Sequence, residues 1–199
     1  MYAVLTGDIV NSRAAKGSPW LKDLKQALSH YGDAPQDWEI FRGDSFQLIV
    51  PAGKALEAAL YIKACVKQQA AYDVRQGIGL GNRDFDAPRI TESNGTAFVH
   101  SGTAFENLGK NYLAILTPDA ALNQALEVMT ELAGLTIDNW TPTTSQAVRL
   151  KLENPEKSQM ELARLLSKSQ SSVSDSLSRG GFSQVMKLNT FFKKSLQAL

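Results

Sequence analysis

Within Arg75-Gln76-Gly77-Ile78-Gly79-Leu80-Gly81, glycine takes every second position from residue 77 on. Alternate residues of an extended strand share a face. A glycine in a strand forgoes side-chain packing and marks a place where something approaches the backbone closely. Val74 to Leu80 is therefore expected to be a strand on which another group lies directly, and the rest of the chain has to supply a sheet around it.

The flanking segments supply one. Residues 2–6 form a short apolar strand, and Trp20, Leu21, Leu24, Ala27 and Leu28 recur at helical spacing within 18–31. Residues 38–42 and 45–50 read as strands joined at Gly43-Asp44, a hairpin signal. Ala55 to Ala71 reads as a helix, 82–94 as a polar loop broken by Pro88, Thr103 to Leu108 as a short helix, Tyr112 to Leu116 as a strand and Asp119 to Leu135 as a long helix. Strands alternating with helices favour a sheet with helices packed on it. The order predicts an α/β chain with a ferredoxin-like βαββαβ core. Trp140 and Pro142 interrupt the helical pattern, which places a domain boundary after residue 138: an α/β domain over 1–138 and a small all-α domain over 139–199.

Charge follows the same division. Residues 140–199 carry nine basic and four acidic side chains, a net of +5, while residues 1–139 carry twelve and sixteen, a net of −4. A basic tail on an acidic body points to a polyanionic partner for the tail. No apolar run approaches the eighteen or so residues of a membrane span. The N-terminus meets a carboxylate at Asp8 without a basic leader, so no signal peptide is expected. Cys65 is the single cysteine; it permits no intrachain disulfide, fits a cytoplasmic location, and sits among apolar neighbours as a packing residue.

Two carboxylates stand at informative places. Asp8 follows the first strand and Asp44 sits at the hairpin tip. In a ferredoxin-like sheet the first strand lies beside the hairpin, so the two can converge. With the backbone carbonyl of Ile9 they form an oxygen donor set suited to Mg²⁺, although Asp also caps ordinary turns. Arg13, Arg42 and Arg89 offer planar donor forks for phosphate. His30 and His100 form no ligand pair by spacing, Asp84 and Asp86 read as solvated loop residues, and the sequence holds no Walker loop, Ser-His-Asp arrangement or zinc cluster.

These segments resemble known ones. Thr6-Gly7-Asp8-Ile9-Val10 looks like the strand-one metal motif of class III nucleotide cyclases. Phe41-Arg42-Gly43-Asp44-Ser45-Phe46 looks like their hairpin, and like the Gly-Asp hairpin of GGDEF diguanylate cyclases. Arg75 to Gly81 looks like the next cyclase strand, and Gly95 to Leu108 stands where the cyclase glycine-rich helix start lies. The resemblance covers about 1–116 and implies a cyclase-like fold with Asp8 and Asp44 as metal ligands; Arg13, Arg42, Gly43, Asn94 and Gly95 are the candidate nucleotide contacts. Three positions depart from it. Ile40 stands where cyclases select the base with Lys, and Val99 and Thr103 stand where they place the Asn and Arg of the transition state. Losing an Arg that stabilises growing phosphate charge argues against efficient cyclisation. Across nearly the whole chain the sequence is also similar to the SatD family of bacterial proteins, through Leu5-Thr6-Gly7-Asp8-Ile9-Val10-Asn11-Ser12-Arg13 and Glu92-Ser93-Asn94-Gly95-Thr96-Ala97-Phe98 followed by a helical C-terminal region.

The tail has its own grammar. Ser158-x-x-Glu161 is a capping box opening a helix through Leu166. Ser169 caps a second helix, ended by Gly180-Gly181. Ala163, Leu166, Ser169 and Val173 have the spacing of a helix-turn-helix, with Thr144 to Leu152 as its leading helix. The exposed face of the second helix is then Ser169, Gln170, Ser171, Ser174, Asp175, Ser178 and Arg179, short polar groups suited to base edges and phosphates. The turn departs from the usual pattern, with Ser167 in place of Gly and Lys168 in place of an apolar residue. The apolar stripe of 182–199 either packs inward or joins two copies.

Two functions are therefore expected to compete. One is a DNA-binding transcriptional regulator, a homodimer on double-stranded DNA, whose cyclase-like domain senses a nucleotide with Mg²⁺. The other is a nucleotidyl-transferring or cyclising enzyme with a helical accessory tail.

Overall fold

In the computed structural model, which describes residues 1–15 and 17–198, the chain is a mixed α/β protein with one five-stranded sheet. Among the described residues the elements run β1 (Tyr2–Val10), α1 (Trp20–Ser29), β2 (Trp38–Phe41), β3 (Ser45–Pro51), α2 (Ala55–Val66), β4 (Asp73–Gly81), α3 (Thr96–Glu106), β5 (Leu113–Leu116), α4 (Ala120–Ile137), α5 (Pro142–Glu153), α6 (Gln159–Leu165), α7 (Gln170–Arg179) and α8 (Phe182–Ser195). The sheet order is β2-β3-β1-β4-β5. Every neighbour is antiparallel except β4 and β5, which are parallel. That parallel pair requires the crossover that α3 provides.

The alternating glycines of β4 explain themselves here. A Cβ built on Gly77 would overlap the backbone of Phe105 and Ser101, one on Gly79 that of Ser101 and Ala97, and one on Gly81 the side chain of Thr96. The group lying on the strand is α3, which rests directly on strand backbone. Helix α3 meets the glycines with its own small residues Ala97, Ser101 and Ala104, all buried. It therefore starts at Thr96, seven residues earlier than the expected short helix.

The other face of the sheet carries α1 and α2. Every residue of α2 except Glu57 is buried, because α1 and β4 cover one side and α5 and α8 the other. Tyr61 on α2 donates to Glu153 on α5 (2.6 Å) and Lys193 on α8 donates to Glu57 (2.8 Å). Burial works against ionising Glu57, but the hydrogen bonds from Lys193 and Lys54 outweigh it and hold its carboxyl below the usual range. One buried apolar cluster runs from Ala3 and Leu5 in β1 through α2 to Val173, Val185 and Phe192 in the tail. The stripe expected over 182–199 thus packs inward at Val185 and Phe192, with Phe182, Leu188 and Leu196 half-buried; Leu199 lies outside the described residues. The expected boundary after residue 138 falls between α4 and α5. Cys65 is buried, and that burial pushes its thiol up to about 12, so it is an inert packing residue. No described helix is long and apolar enough to cross a membrane.

Candidate functional site

Strand β1 continues through Asp8 to Val10, so Asp8 lies within the strand and not after it, as its position behind an apolar run suggested. Strand alternation puts Val4, Thr6 and Asp8 on the face that α3 covers, opposite Ala3, Leu5 and Ile9. Register then builds a row across that face: Phe41 pairs with Ser45, Ser45 with Asp8, and Asp8 with Arg75. A second row holds Gln47 and Thr6; Gln47 donates to the Thr6 hydroxyl (3.4 Å), which bonds Ser101 on α3 (3.0 Å). All of these but Ser101 are half-buried, so this end of the face is polar and partly open while the far end closes over Val4, Ile49, Ile90 and Ala97.

Arg75 is the residue that sequence reasoning missed. Its Nε and Nη2 reach the two oxygens of Asp8 (3.0 and 2.5 Å), a two-pronged pair, and its guanidinium lies over the Phe105 ring at 5.6 Å. The hydrogen bond to Asp8 raises its pKa, with burial opposing; Asp44 precedes Ser45, the β3 partner of Asp8. Asp44 accepts a hydrogen bond from Ser12 through its carboxylate, and from the Ile9 amide through its carbonyl (3.3 Å). Arg13, Arg42 and Gly43 are exposed at this same end, Arg42 and Gly43 with positive φ in the hairpin turn. A cavity of about 410 Å³ opens at the end of β1, lined by Val10, Asn11, Lys67, Lys110 and Tyr112 and by none of Asp8, Arg13, Arg42, Asp44 and Arg75. Asn94 and Gly95 lie at the opposite end, because α3 begins over Gly81 and ends over Gly77; the structure does not bring them to Asp8. Gly95, at φ +146°, closes the 82–95 loop against Asn82 and Asp84. Arg89 pairs with Glu39 on the sheet. Val99 and Thr103 point outward from α3.

The donor set bears on Mg²⁺. Both oxygens of Asp8 are already engaged by a cation, and no described group of three or more His, Cys, Asp and Glu converges on a point. Two carboxylates and a carbonyl suit a hard ion, but an ion at Asp8 has to displace Arg75.

The chain matches no family model, no curated protein and no solved structure. Its own geometry has to carry the reading.

The tail gives the second constellation. Ser158 and Glu161 form the reciprocal capping box of α6, with the Ser158 amide donating to Glu161 at 2.8 Å. Ser169 caps α7 by accepting from Ser172 (3.2 Å). Between them the Lys168 amide donates to the Ala163 carbonyl (3.0 Å) and the Ser167 amide to Arg164 (3.2 Å), while Ser167 takes φ 52°. This is a Schellman turn, in which the left-handed position normally falls to Gly. The unusual Ser is thus at the one residue that needs positive φ. Lys168 reaches back to Gln146 on α5 (2.9 Å), which gives the unexpected lysine a structural use. Because an L-residue in that region carries a steric cost, Ser167→Gly is expected to stabilise the protein by about 1 kcal/mol. A denaturant titration checks it, and a lowered midpoint contradicts it.

Helix α7 is pinned by Val173, Ser176 and Leu177, all buried, and by its last carbonyl, since Gly180 accepts from the Trp140 indole (2.9 Å). Ser169, Gln170, Ser171, Asp175, Ser178 and Arg179 are exposed and Ser174 half-buried. The start of α7 therefore offers a polar face with unpaired helix N–H groups nearby.

Proposed function

We propose that the chain is a DNA-binding transcriptional regulator of the SatD type, cytoplasmic and bacterial, in which a cyclase-like α/β part senses a nucleotide. The observation that carries this is the polar, uncovered start of α7, set by a Schellman turn against a capped α6. In a helix-turn-helix the second helix enters the major groove with its N-terminal residues toward the bases. Ser169, Gln170, Ser171 and Ser174 would read bases and backbone there, with Asp175, Ser178 and Arg179 along the same helix. The order β2-β3-β1-β4, antiparallel throughout, supports a ferredoxin-like core with β5 added at its edge. The nucleotide would bind at the Asp8 end of the sheet. Arg75, which pairs with Asp8 at that end, would hold the phosphates, and Asp8, Asp44 and the Ile9 carbonyl would be the oxygen donors for a Mg²⁺ that neutralises them. The outward Val99 and Thr103 and the core-packed Ile40 favour sensing over cyclisation.

The test is binding of the full chain to genomic fragments, including the region upstream of its own gene, against random DNA at two salt concentrations. Specific binding that weakens with salt is expected, because phosphate contacts release counterions. Ser171→Asp is expected to abolish it without lowering the melting temperature, since an acid in the first turn of a helix favours the helix dipole while repelling phosphate. If no fragment outcompetes random DNA, or if Ser171→Asp binds as the parent does, the regulator reading is wrong.

A further inference from the structure

The inward packing of α8 at Val185 and Phe192 leaves the Leu188 and Phe191 side of its stripe uncovered, beside an apolar ridge on α4. On α4, Val128, Leu132 and Leu135 are 57%, 62% and 73% exposed, and beside them on α8 Phe191 is 39% exposed. Helical periodicity puts the three α4 residues in one ridge. Between this ridge and α8 runs an open groove of about 690 Å³, walled by Met129, Ala133 and Leu188. Single exposed apolar residues are ordinary. Here Leu132 and Phe191 line the groove and Val128 and Leu135 extend the same ridge beside it, a patch of the kind that marks an interaction surface.

The charges flanking the groove identify its occupant. Helix α4 carries Glu127 and Glu131 and no basic residue; helix α8 carries Lys187, Lys193 and Lys194 and no acidic one. Helical geometry places Glu127 and Glu131 on the side of the ridge away from the groove, where Glu131 also accepts from Asn111 (3.1 Å); Lys187 stands on the groove's α8 wall and Lys194 on the same side of that helix, and all four are exposed. The face thus reads acidic, apolar, basic across its width. Such a surface is complementary to itself. A two-fold axis running along the groove sets the acidic border of one copy over the basic border of the other and buries both ridges, as an isologous interface requires. We propose that the α4–α8 face is the interface of a homodimer.

This deepens the regulator reading, on which it rests only for its consequence at DNA. Ser178 and Arg179, in the last turn of α7, line the same groove, so in the dimer they would stand at its border while the start of α7, Ser169 to Ser171, stays free for DNA; the axis would hold two α7 helices at a fixed separation, and half-site spacing follows from that separation.

The experiment is sedimentation velocity on the full chain without DNA, diluted from about 100 µM, well above the Kd of a stable interface. A dimer is expected. Leu132→Arg should leave a folded monomer that melts where the parent does when diluted to its own monomeric state, its position being exposed. Two charge reversals give the sharper readout: Glu127→Lys with Glu131→Lys in one protein, and Lys187→Glu with Lys194→Glu in another. Facing like charges are costly, so each should weaken dimerisation at least about tenfold. An equimolar mixture should regain it, because both borders of the mixed dimer then pair opposite charges. A monomeric parent, a dimer indifferent to these changes, or a mixture that stays monomeric overturns the proposal. Dimerisation without specific DNA binding would overturn the regulator reading alone.

Discussion

Adding one methyl group at residue 79 is expected to cost the protein about 3 kcal/mol or more, whereas the same change at residue 102 should stabilise it. Gly79→Ala drives a Cβ into the backbone of Ser101 and Ala97. Helix backbone cannot turn aside as a side chain can, so all of α3 has to lift from the sheet. Gly102 lies in the same helix, but a Cβ there meets nothing within 4 Å, so Gly102→Ala gains helix propensity alone, about 0.5–1 kcal/mol. Urea titrations of the two variants and the parent decide the matter. Equal effects would show that α3 does not rest on β4 as described. Lifting α3 also removes Phe105 from Arg75, so the nucleotide binding proposed at the Asp8 end should weaken in Gly79→Ala and persist in Gly102→Ala.

The second large effect is expected at Asp73. Its carboxylate accepts from Lys63 and from Lys67, each at 2.7 Å, and from the Val74 amide at 2.8 Å. Lys63 is 2% exposed and also pairs with Asp138 at 2.8 Å. Removing one member of a buried ionic network leaves charge in a poorly solvated place, typically at a cost of 3–5 kcal/mol. Asp138 still offers Lys63 a partner, which puts Asp73→Asn at the lower end, about 3 kcal/mol. Replacing Lys63 by Met in the same protein should return part of that loss, because the excess buried cation is then gone. A double-mutant cycle read by chemical denaturation measures the coupling. A cost below about 1 kcal/mol for the single variant, or strict additivity, would mean that water reaches these groups freely. The network matters beyond stability. Asp73 begins the strand that carries Arg75, and Asp138 leads into Trp140, which holds the end of α7. Weakening it is therefore expected to loosen both ends of the molecule.

Much of this architecture was legible in the residues, wherever the signal was local. Ser158 with Glu161, Ser169, and Gly180-Gly181 delimit α6 and α7 because caps act within a turn of the chain. The glycine strand was legible too, though not the identity of what lies on it. Helix α3 was cut short because the face it presents to those glycines is Ala97, Ser101 and Ala104, and small residues make a faint apolar period. Arg75 escaped notice for another reason. Its meaning depends on standing opposite Asp8, and strand register is a tertiary fact. The stripe on α8 marked an apolar face correctly, but amphipathicity is the same whether a face meets the core or a second molecule. Only the burial of Val185 and Phe192 separates the two.

The burial of α2 has a consequence for how the chain is made. Its outer face is closed by α5 and α8, which leave the ribosome long after it. At common rates of synthesis the interval is on the order of ten seconds. Throughout it, the apolar side of α2 stands open on the nascent chain. Any factor that shields nascent chains therefore has a defined stretch to cover, and shortening the tail by deletion should turn that temporary exposure into permanent aggregation.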